Sequence, residues 1–393
     1  MQKILISGLV LLTCGIFQAN AQSASSGGNK DFQQTITTAV PFLNITPDAR
    51  AGGMGDVGAA TSPDANATFW NPGKLSFNKK DMGLAISYNP WLRKLVNDMS
   101  LSYLSFYKKL RKEDAIGVSF KYFNLGQVTF TDLNGNVVRD FQPNELSFGL
   151  TYSRMLSKSF SLGLGIKYFR SDLVGSYNQG TGGVAKAINS VSADIGAYYT
   201  KDLLVGGKNS NLSFGAVIND IGPKVTYTDV SNKNFIPTNL RIGGTYTIET
   251  DLYNKFCFSL DANKLMVPSR WDSTGKNPQD MGMLEGMFSS FADSPNGLKG
   301  EMKEIILCMG AEYWYNDLFA IRAGYHYENP QNGNRRYANV GIGIRYNAFG
   351  LDMAYLIPIQ QSNPLAETLR FTLHFDFNAK KKVTGVGEDN SAN

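Results

Sequence analysis

Large apolar residues alternate with glycine, serine, threonine or charged residues in segment after segment from Met82 onward. One segment places Phe160, Leu162, Leu164, Ile166 and Tyr168 at every second position, with Ser161, Gly163, Gly165 and Lys167 between them. A period of two puts these two sets on opposite faces of a β-strand. Each such strand is therefore predicted to lie between two different environments.

The alternation recurs in fourteen segments, and turn residues or charges bound each one. Strands in a lipid bilayer must all be hydrogen-bonded to neighbours, so the sheet closes and its large apolar face turns to lipid. We therefore predict an all-β fold, a 14-stranded antiparallel transmembrane β-barrel over residues 82–377, in contact with outer-membrane lipid and lipopolysaccharide (LPS). The predicted strands span 82–88, 100–107, 115–123, 145–155, 160–170, 191–200, 212–218, 239–250, 255–263, 305–315, 319–327, 337–346, 349–356 and 368–377.

The connections between these segments alternate between longer and shorter stretches of chain, and the longest covers 264–304. In bacterial outer-membrane barrels the short connections are periplasmic turns and the long ones are outer loops. A soluble β-sandwich has no physical reason to sort its connections by length in this way. The pattern predicts a multi-pass protein of the cell outer membrane, with the long loops extracellular and both termini periplasmic.

The N-terminus has the features of a cleaved secretory signal. Lys3 precedes an apolar run over residues 4–17, and Ala19-Asn20-Ala21 is a small-x-small cleavage site. We therefore expect residues 1–21 to be a signal peptide and the mature chain to begin at Gln22. At the other end, residues 378–393 are rich in charged and small residues, and this composition predicts a flexible periplasmic tail.

Charge and cysteine content exclude several classes of function. The net charge of +5 is too small to indicate nucleic-acid binding. Cys257 and Cys308 are the only cysteines after the predicted signal, so neither a disulfide framework nor a metal cluster is indicated, and no cofactor is predicted. In the predicted hairpin Cys257 lies opposite about residue 311, roughly 10 Å along the strand from Cys308, which is beyond the reach of a disulfide.

Residues 22–81 do not alternate, and they contain the glycine-rich stretch 49–60. Glycine permits tight turns and close backbone packing, so this segment is expected to fold inside the barrel as a plug. Nucleotide binding is disfavoured because no strand precedes the glycines and no phosphate-binding lysine follows in register. The predicted lumen-packing residues are Gly52, Gly53, Gly55, Asn71 and Pro72.

The longest connection contains apolar residues near helical spacing, among them Leu284 and Phe288. An apolar helix face outside the membrane must be covered, and three interpretations remain open: a lid over the barrel mouth, a surface for a client or partner protein, or a site for a fatty-acid-like ligand. The candidate client- or partner-binding residues are Trp91, Leu92, Leu95, Trp271, Met281, Met283, Leu284, Met287, Phe288 and Phe291.

An enzyme that modifies lipid is the competing class of function. Such barrels pair a serine nucleophile with a histidine base that lipid can reach. The sequence has two histidines, His326 and His374, and strand parity points both into the lumen. We therefore expect no enzymatic activity and no catalytic residues. A charge network that ties the plug to the wall is expected from the residues that share this inward parity, Arg322, Arg345, Arg370, Asp352 and Asp376.

The plug segment resembles the N-terminal region of the FadL-like outer-membrane proteins. The matching stretches are Ala51-Gly52-Gly53-Met54-Gly55, Asp64-Ala65-Asn66-Ala67 and Asn71-Pro72-Gly73-Lys74-Leu75. The third stretch departs at Gly73-Lys74, where the family more often has Ala-Gly. Residues 39–52 and 88–92 further resemble members of this group that belong to the type IX secretion system of Bacteroidetes.

This resemblance implies a non-enzymatic shuttle of the type IX protein secretion system. Such a protein binds secreted clients through their C-terminal domains after they leave the translocon barrel, and it passes them to a cell-surface attachment complex. A FadL-type channel for the uptake of hydrophobic small molecules is the first alternative. Deacylation of lipid A or LPS is the second.

Overall fold

Fourteen strands with alternately buried and exposed side chains form the main element of the fold. The computed structural model describes residues 36–91, 98–132, 134–175, 177–178, 184–228, 233–269, 277–278, 280–294, 296–359 and 368–378. The barrel strands are β1 (Met82–Pro90), β2 (Ser100–Lys109), β3 (Asp114–Asn124), β4 (Asn144–Met155), β5 (Phe160–Asp172), β6 (Ile188–Val205), β7 (Lys208–Ile221), β8 (Asn239–Glu249), β9 (Asn254–Leu265), β10 (Ile306–Tyr315), β11 (Phe319–Tyr327), β12 (Arg336–Tyr346), β13 (Phe349–Pro358) and β14 (Leu369–Phe377).

Every barrel strand pairs antiparallel with its neighbours along the chain, and β1 pairs with β14 from Met82 opposite Phe377 to Tyr88 opposite Phe371. The sheet is therefore closed, and the predicted 14-stranded barrel is confirmed. The prediction was wrong about the connection between β6 and β7. Pairing continues to Val205 opposite Lys208, and Gly206 and Gly207, with φ of 59° and 76°, make a two-residue turn. Within residues 201–211 the apolar residues, Leu203, Leu204 and Val205, are consecutive, so alternation does not mark this end of the hairpin.

The two faces of the sheet carry the residues that the alternation assigned to them. Outward side chains such as Leu150 and Ile166 are 54% and 65% exposed, whereas Ser153 and Ser161 are buried on the lumenal face. Large apolar residues thus face lipid and small residues face the lumen. Both Cys257 and Cys308 are free and buried, and they lie opposite Glu312 and Asp261, one residue from the expected register.

The connections separate by length onto the two ends of the barrel. One end, here named the loop end, carries the connections that join β1 to β2, β3 to β4, β5 to β6, β7 to β8, β9 to β10, β11 to β12 and β13 to β14. The other, the turn end, carries residues 110–113, 156–159, 206–207, 250–253, 316–318 and 347–348. A small hairpin of strands Val128–Thr131 and Val137–Phe141 extends the second loop-end connection.

The described N-terminal segment crosses the lumen once. Ile36 packs against Phe235 and Val267 at the loop end. The chain then passes through a 3-10 helix, α1, α2 and a second 3-10 helix to the turn end, where β1 begins. These elements span Pro41–Asn44, Ala49–Gly52 (α1), Ala67–Trp70 (α2) and Pro72–Phe77.

The two described ends of the chain therefore lie at opposite ends of the barrel, since β14 finishes at the turn end. The residues before 36 and after 378 lie outside the described chain, so the prediction of two periplasmic termini stays a prediction. The predicted signal peptide and the tail beyond residue 378 lie outside the described residues. Within the described chain, the helices are too short to span a membrane.

Glycines let the plug approach the barrel wall backbone to backbone. Gly55 has a φ of 72°, and a Cβ there would lie 2.6 Å from both Met309 O and Tyr325 N. On the wall, Gly324 packs against the backbone of Met54 and Gly55. A side chain at either position would overlap the opposite backbone. Other lumenal glycines that contact plug residues include Gly163, Gly196, Gly215, Gly310 and Gly341.

An apolar cluster fills the lumen near the loop end. Val40, Phe42 and Leu43 of the plug segment pack there with Phe123 and other wall residues. The remaining buried members of this cluster are Ala39, Trp91, Leu101, Phe169, Ile188, Val225 and Ile236. The plug is thus held by apolar packing near the loop end and by polar contacts deeper in the lumen.

Candidate functional site

The longest connection folds into two short helices, α3 (Met283–Ser289) and α4 (Leu298–Lys303). Gly282 precedes α3, and its amide donates to Glu285 Oε2 at 3.4 Å. That contact satisfies an amide that the helix leaves free, and the carboxylate also complements the helix dipole. Gly286 lies so close to Phe235 that a Cβ would be 2.5 Å from its ring. Because glycine has no side chain, α3 can pack closely on Phe235 of the connection between β7 and β8.

Exposed apolar residues lie on the outward side of both helices, beside the exposed charges Glu285 and Lys299. Leu284 and Phe288 are 57% and 70% exposed on α3, and Leu298 and Met302 are 77% and 64% exposed on α4. Each pair has i,i+4 spacing and so shares one helix face. Phe291, just beyond α3, is 42% exposed. We refer to Leu284, Phe288, Phe291, Leu298 and Met302 as the outer apolar residues.

The structure divides the candidate partner-binding residues into buried and exposed sets. Met281 and Met287 are each 4% exposed, and Met281 packs with Phe235 and Val267. Trp91 is buried with its ring edge-on to Phe123 at 5.8 Å. These three side chains are not available to a partner, which corrects their assignment. The remaining predicted positions are Leu284, Phe288 and Phe291, which are exposed; Met283, which is partly buried; and Leu92, Leu95 and Trp271, which lie outside the described residues.

Helical spacing could not predict this division. A short helix that lies on a protein surface has one covered face, and the connection has apolar residues on both sides of α3. Phe235, from a different connection, determines which face is covered. Leu298 and Met302 were not predicted, although their i,i+4 spacing in 298–303 was a weak sequence signal.

Charged residues attach this connection to the end of β9. Lys264 Nζ lies 2.9 Å from Glu301 and 2.5 Å from Glu304. Burial raises the pKa of Glu304, and Lys264 opposes that shift. Carboxylate oxygens of Asp293, Glu301 and Glu304 lie within 4.8 Å of one another, a grouping that can hold a metal ion. Because Lys264 contacts two of the three, its ammonium already supplies positive charge there.

The plug is bound to the wall by buried ion pairs. Asp56 pairs with Arg370 at 2.6 Å and accepts a hydrogen bond from the Tyr337 hydroxyl at 2.6 Å. Arg50 bridges to Glu312 at 3.0 Å. The predicted network is therefore present, but its plug members were not predicted. Arg50 is 262 positions from Glu312 in the sequence, and Asp56 is 314 positions from Arg370.

The other members of that network lie on the wall. Asp352 accepts from Arg322 at 2.9 Å and pairs with Arg345 at 2.6 Å. Arg322 also contacts Glu312 at 2.7 Å, so Glu312 connects the wall pairs to Arg50. Asp376 lines a cavity nearby.

The predicted lumen-packing residues all contact the wall or organise the plug. Gly52 lies against the Arg370 side chain, and Gly53 lies against Gly341. Asn71 Nδ2 donates to Ala59 O at 2.9 Å and to Ala197 O at 3.0 Å. Pro72 packs on the wall glycines Gly163 and Gly196.

Lys74, at the position that departs from the FadL-like pattern, lies in the interior of the plug. Its ammonium donates to Gly58 O at 2.8 Å and to Thr61 Oγ1 at 2.9 Å. Burial lowers the pKa of Lys74 to about 8. Lys74 therefore stabilises the plug by hydrogen bonds to two other plug residues.

A cavity of about 930 Å³, lined by both polar and apolar residues, lies between the plug and the turn end. Its lining includes both cations and anions, among them Arg50, Lys80, Glu312, Arg345 and Asp376. A path for hydrophobic molecules requires an apolar lining, since a charged wall offers no favourable contact for them. The lining of this cavity is mixed, since apolar side chains such as Phe77 and Trp314 lie beside the charged ones.

Both histidines lie in the lumen, as strand parity predicted. His326 is stacked on Tyr337, with Nδ1 3.3 Å from Cys308 Sγ. His374 Nε2 lies 2.8 Å from Asp352 Oδ2. Both side chains are buried and separated from the lipid-facing surface by the barrel wall. Neither is placed to act on a lipid chain, and the absence of enzymatic activity stays a prediction.

A family model described as type IX secretion system protein PorV matches residues 28–272, which is more than half of the chain. The chain belongs to the PorV family. It is therefore an outer-membrane β-barrel component of the type IX secretion system. None of the curated proteins matches the chain.

Solved structures of other outer-membrane proteins are also similar to this PorV-family chain. The CymD monoaromatic hydrocarbon channel is 14% identical, with 85% of this chain and 98% of that chain covered and a TM-score of 0.49. The Pseudomonas putida toluene transporter TodX is 11% identical, with 84% and 97% covered and a TM-score of 0.48. A Pseudomonas aeruginosa FadL homologue is 12% identical, with 85% and 99% covered and a TM-score of 0.44.

Proposed function

We propose that this PorV-family protein binds secreted proteins through their C-terminal domains after translocation and passes them to a surface attachment complex. In this proposal the loop end faces the cell exterior and the turn end faces the periplasm, as connection length indicates for bacterial barrels. The observation that carries the proposal is the set of outer apolar residues on α3 and α4. A loop outside the membrane has no lipid to cover such residues, so a protein partner is the expected cover.

The support beneath α3 favours a preformed binding surface over a mobile lid. Met281 and Met287 anchor the connection from below, and Lys264 ties α4 to the barrel through Glu301 and Glu304. These contacts fix the exposed side chains in place before any partner binds, so binding requires little ordering of the loop. Large apolar side chains such as Leu284 and Phe288 contribute about 1.5 to 3 kcal/mol each when fully buried.

The test is the double substitution Leu284→Ser with Phe288→Ser. With incomplete burial in the complex, we expect a loss of about 2 to 4 kcal/mol, or roughly 30- to 700-fold in affinity. Surface display of secreted proteins should fall, and a pull-down should recover less client. The folded barrel should keep its heat-modifiable gel shift, because strand pairing does not involve these residues.

Leu252 provides the matched control. It is 92% exposed in the turn between β8 and β9, at the opposite end of the barrel. Leu252→Ser removes an exposed apolar side chain at that end and should leave display and pull-down unchanged. Normal display and an undiminished pull-down from the double variant, at normal protein levels, would contradict the proposal.

A channel for hydrophobic small molecules receives less support. The solved neighbours include proteins described as a monoaromatic hydrocarbon channel and toluene transporters. In this chain the plug packs against the wall through glycines, and the cavity beneath it has charged residues such as Arg50 and Glu312 in its lining. His326 contacts Cys308 and His374 contacts Asp352, and neither contact supports deacylation of lipid A or LPS.

A further inference from the structure

Exposed charges are distributed unevenly around the turn end. Among the described residues, the half of the rim below β1–β5 has one exposed anion, Glu113, and these exposed cations: Lys79, Lys80, Lys108, Arg111, Lys112, Arg154 and Lys158. The half below β6–β14 has the exposed residues Lys201, Lys208, Asp202, Glu249, Asp251 and Asp317. One side of the rim is thus strongly basic, and the other is slightly acidic.

The basic half also carries exposed leucines. Leu110 is 54% exposed in the turn between β2 and β3, and Leu156 is 58% exposed in the turn between β4 and β5. Leu110 lies in sequence between Lys108 and Arg111. Alternating cations and apolar residues at the edge of a lipid-facing surface are typical of a protein that contacts the headgroup layer.

This basic rim is continuous with the surface that lipid covers. Lys108 lies opposite Ile116 in the register of β2 and β3. Ile116 and Tyr152, its neighbour on β4, are 37% and 39% exposed on the outward face. A lysine at the end of this outward row can extend its ammonium to the headgroups while its methylene chain stays against the apolar band.

We propose that the rim formed by the turns of β2–β3 and β4–β5 binds anionic phospholipids, with its cations on their phosphates and Leu110 and Leu156 at the acyl boundary. The leaflet would be the periplasmic one, which rests on the orientation proposed above; lipid binding itself does not depend on that orientation or on client binding. An anionic membrane surface attracts nearby lysines and arginines, by roughly fivefold in affinity for each cation.

The cations differ in their suitability for a test. Lys79, Lys80 and Lys158 also line the lumenal cavity, and Arg154 lies 3.7 Å from Asp114. Lys108, Arg111 and Lys112 have neither feature and are exposed. The test variant is therefore Lys108→Gln, Arg111→Gln and Lys112→Gln together. Its matched control is Lys201→Gln with Lys208→Gln, on the other half of the rim.

The measurement is native mass spectrometry of the purified full-length protein in detergent, with phosphatidylglycerol and phosphatidylcholine added separately. We expect the unmodified protein to bind phosphatidylglycerol more tightly than phosphatidylcholine. At roughly fivefold for each of three cations, the triple variant should lose roughly 100-fold of its phosphatidylglycerol affinity, and the control variant should lose little. Leu110→Ser with Leu156→Ser should weaken binding of both lipids, because the apolar contact does not depend on headgroup charge.

Two results would overturn the proposal. The first is equal binding of the two lipids by the unmodified protein. The second is undiminished phosphatidylglycerol binding by the triple variant, which would leave an acidic periplasmic protein as the partner of this rim. The heat-modifiable gel shift of each variant establishes that the barrel is folded before its lipid binding is compared.

Discussion

Replacement of Arg370 by methionine is expected to loosen the plug while leaving the barrel intact. Arg370 pairs with Asp56 at 2.6 Å, and the two side chains are only 4% and 8% exposed. Burial alone would raise the pKa of Asp56, but Arg370 and His326 outweigh burial and lower it. Asp56 is therefore charged, and the substitution leaves a buried carboxylate with Tyr337 as its hydrogen-bond donor.

Removal of one partner of a buried ion pair costs about 3 to 5 kcal/mol. The equilibrium between seated and released plug should shift by roughly 150- to 5,000-fold. The matched control is Arg345→Met, since Arg345 pairs with Asp352 at 2.6 Å but is 22% exposed, and Asp352 keeps Arg322 at 2.9 Å. That loss should be about 1 kcal/mol or less.

Trypsin cleavage within the plug is the assay. Lys74 is 1% exposed, so trypsin reaches the bond after it when the plug is released. Mass spectrometry of the purified proteins in detergent should show much faster cleavage after Lys74 in the Arg370→Met variant than in the Arg345→Met variant. Equal cleavage rates in the two variants would refute the assignment of Arg370 and Asp56 as the tie between plug and wall.

Three further predictions concern the plug. Because burial lowers the pKa of Lys74 from 10.5 to about 8, the released plug holds more protons than the seated one between these values. Its resistance to chymotrypsin should therefore rise with pH across that window, and Lys74→Met should flatten the rise. A cysteine at exposed Thr37 should react with a membrane-impermeant maleimide on intact cells, whereas one at Leu252 should not; the reverse would contradict the proposed orientation. Gly324→Val should expose the plug to protease, since the wall there contacts the Gly55 backbone; an unchanged digestion pattern would count against that packing.

Much of the barrel could be predicted from the sequence because the residues within each strand alternate according to the two environments on its faces. Alternation in segments such as 146–152 reflects lipid on one face and lumen on the other, and both are present along the whole strand. The hairpin end over 201–211 was missed because its apolar residues, Leu203, Leu204 and Val205, are consecutive and do not alternate with polar ones. Pairing there depends on the Gly206-Gly207 turn, which lies inside the longer connection that the sequence predicted.

The site was less predictable because its arrangement depends on contacts between distant parts of the chain. The sequence of residues 281–291 alone does not predict that Phe235 covers Met281 while Phe288 remains exposed. Likewise, the partner of Asp56 is 314 positions away, on the last strand. Spacing identifies an apolar element, but its covered face is set by tertiary packing.

Crosslinking from α3 tests the client-binding proposal most directly. A photo-crosslinking amino acid at Phe288, which is 70% exposed, would be activated in cells that are secreting type IX clients. The same amino acid at Leu252, which is 92% exposed at the turn end, is the control. The proposal predicts adducts between position 288 and the C-terminal domain of a secreted protein, with none from position 252. Absence of client adducts at 288, or equal adducts from both positions, would contradict it.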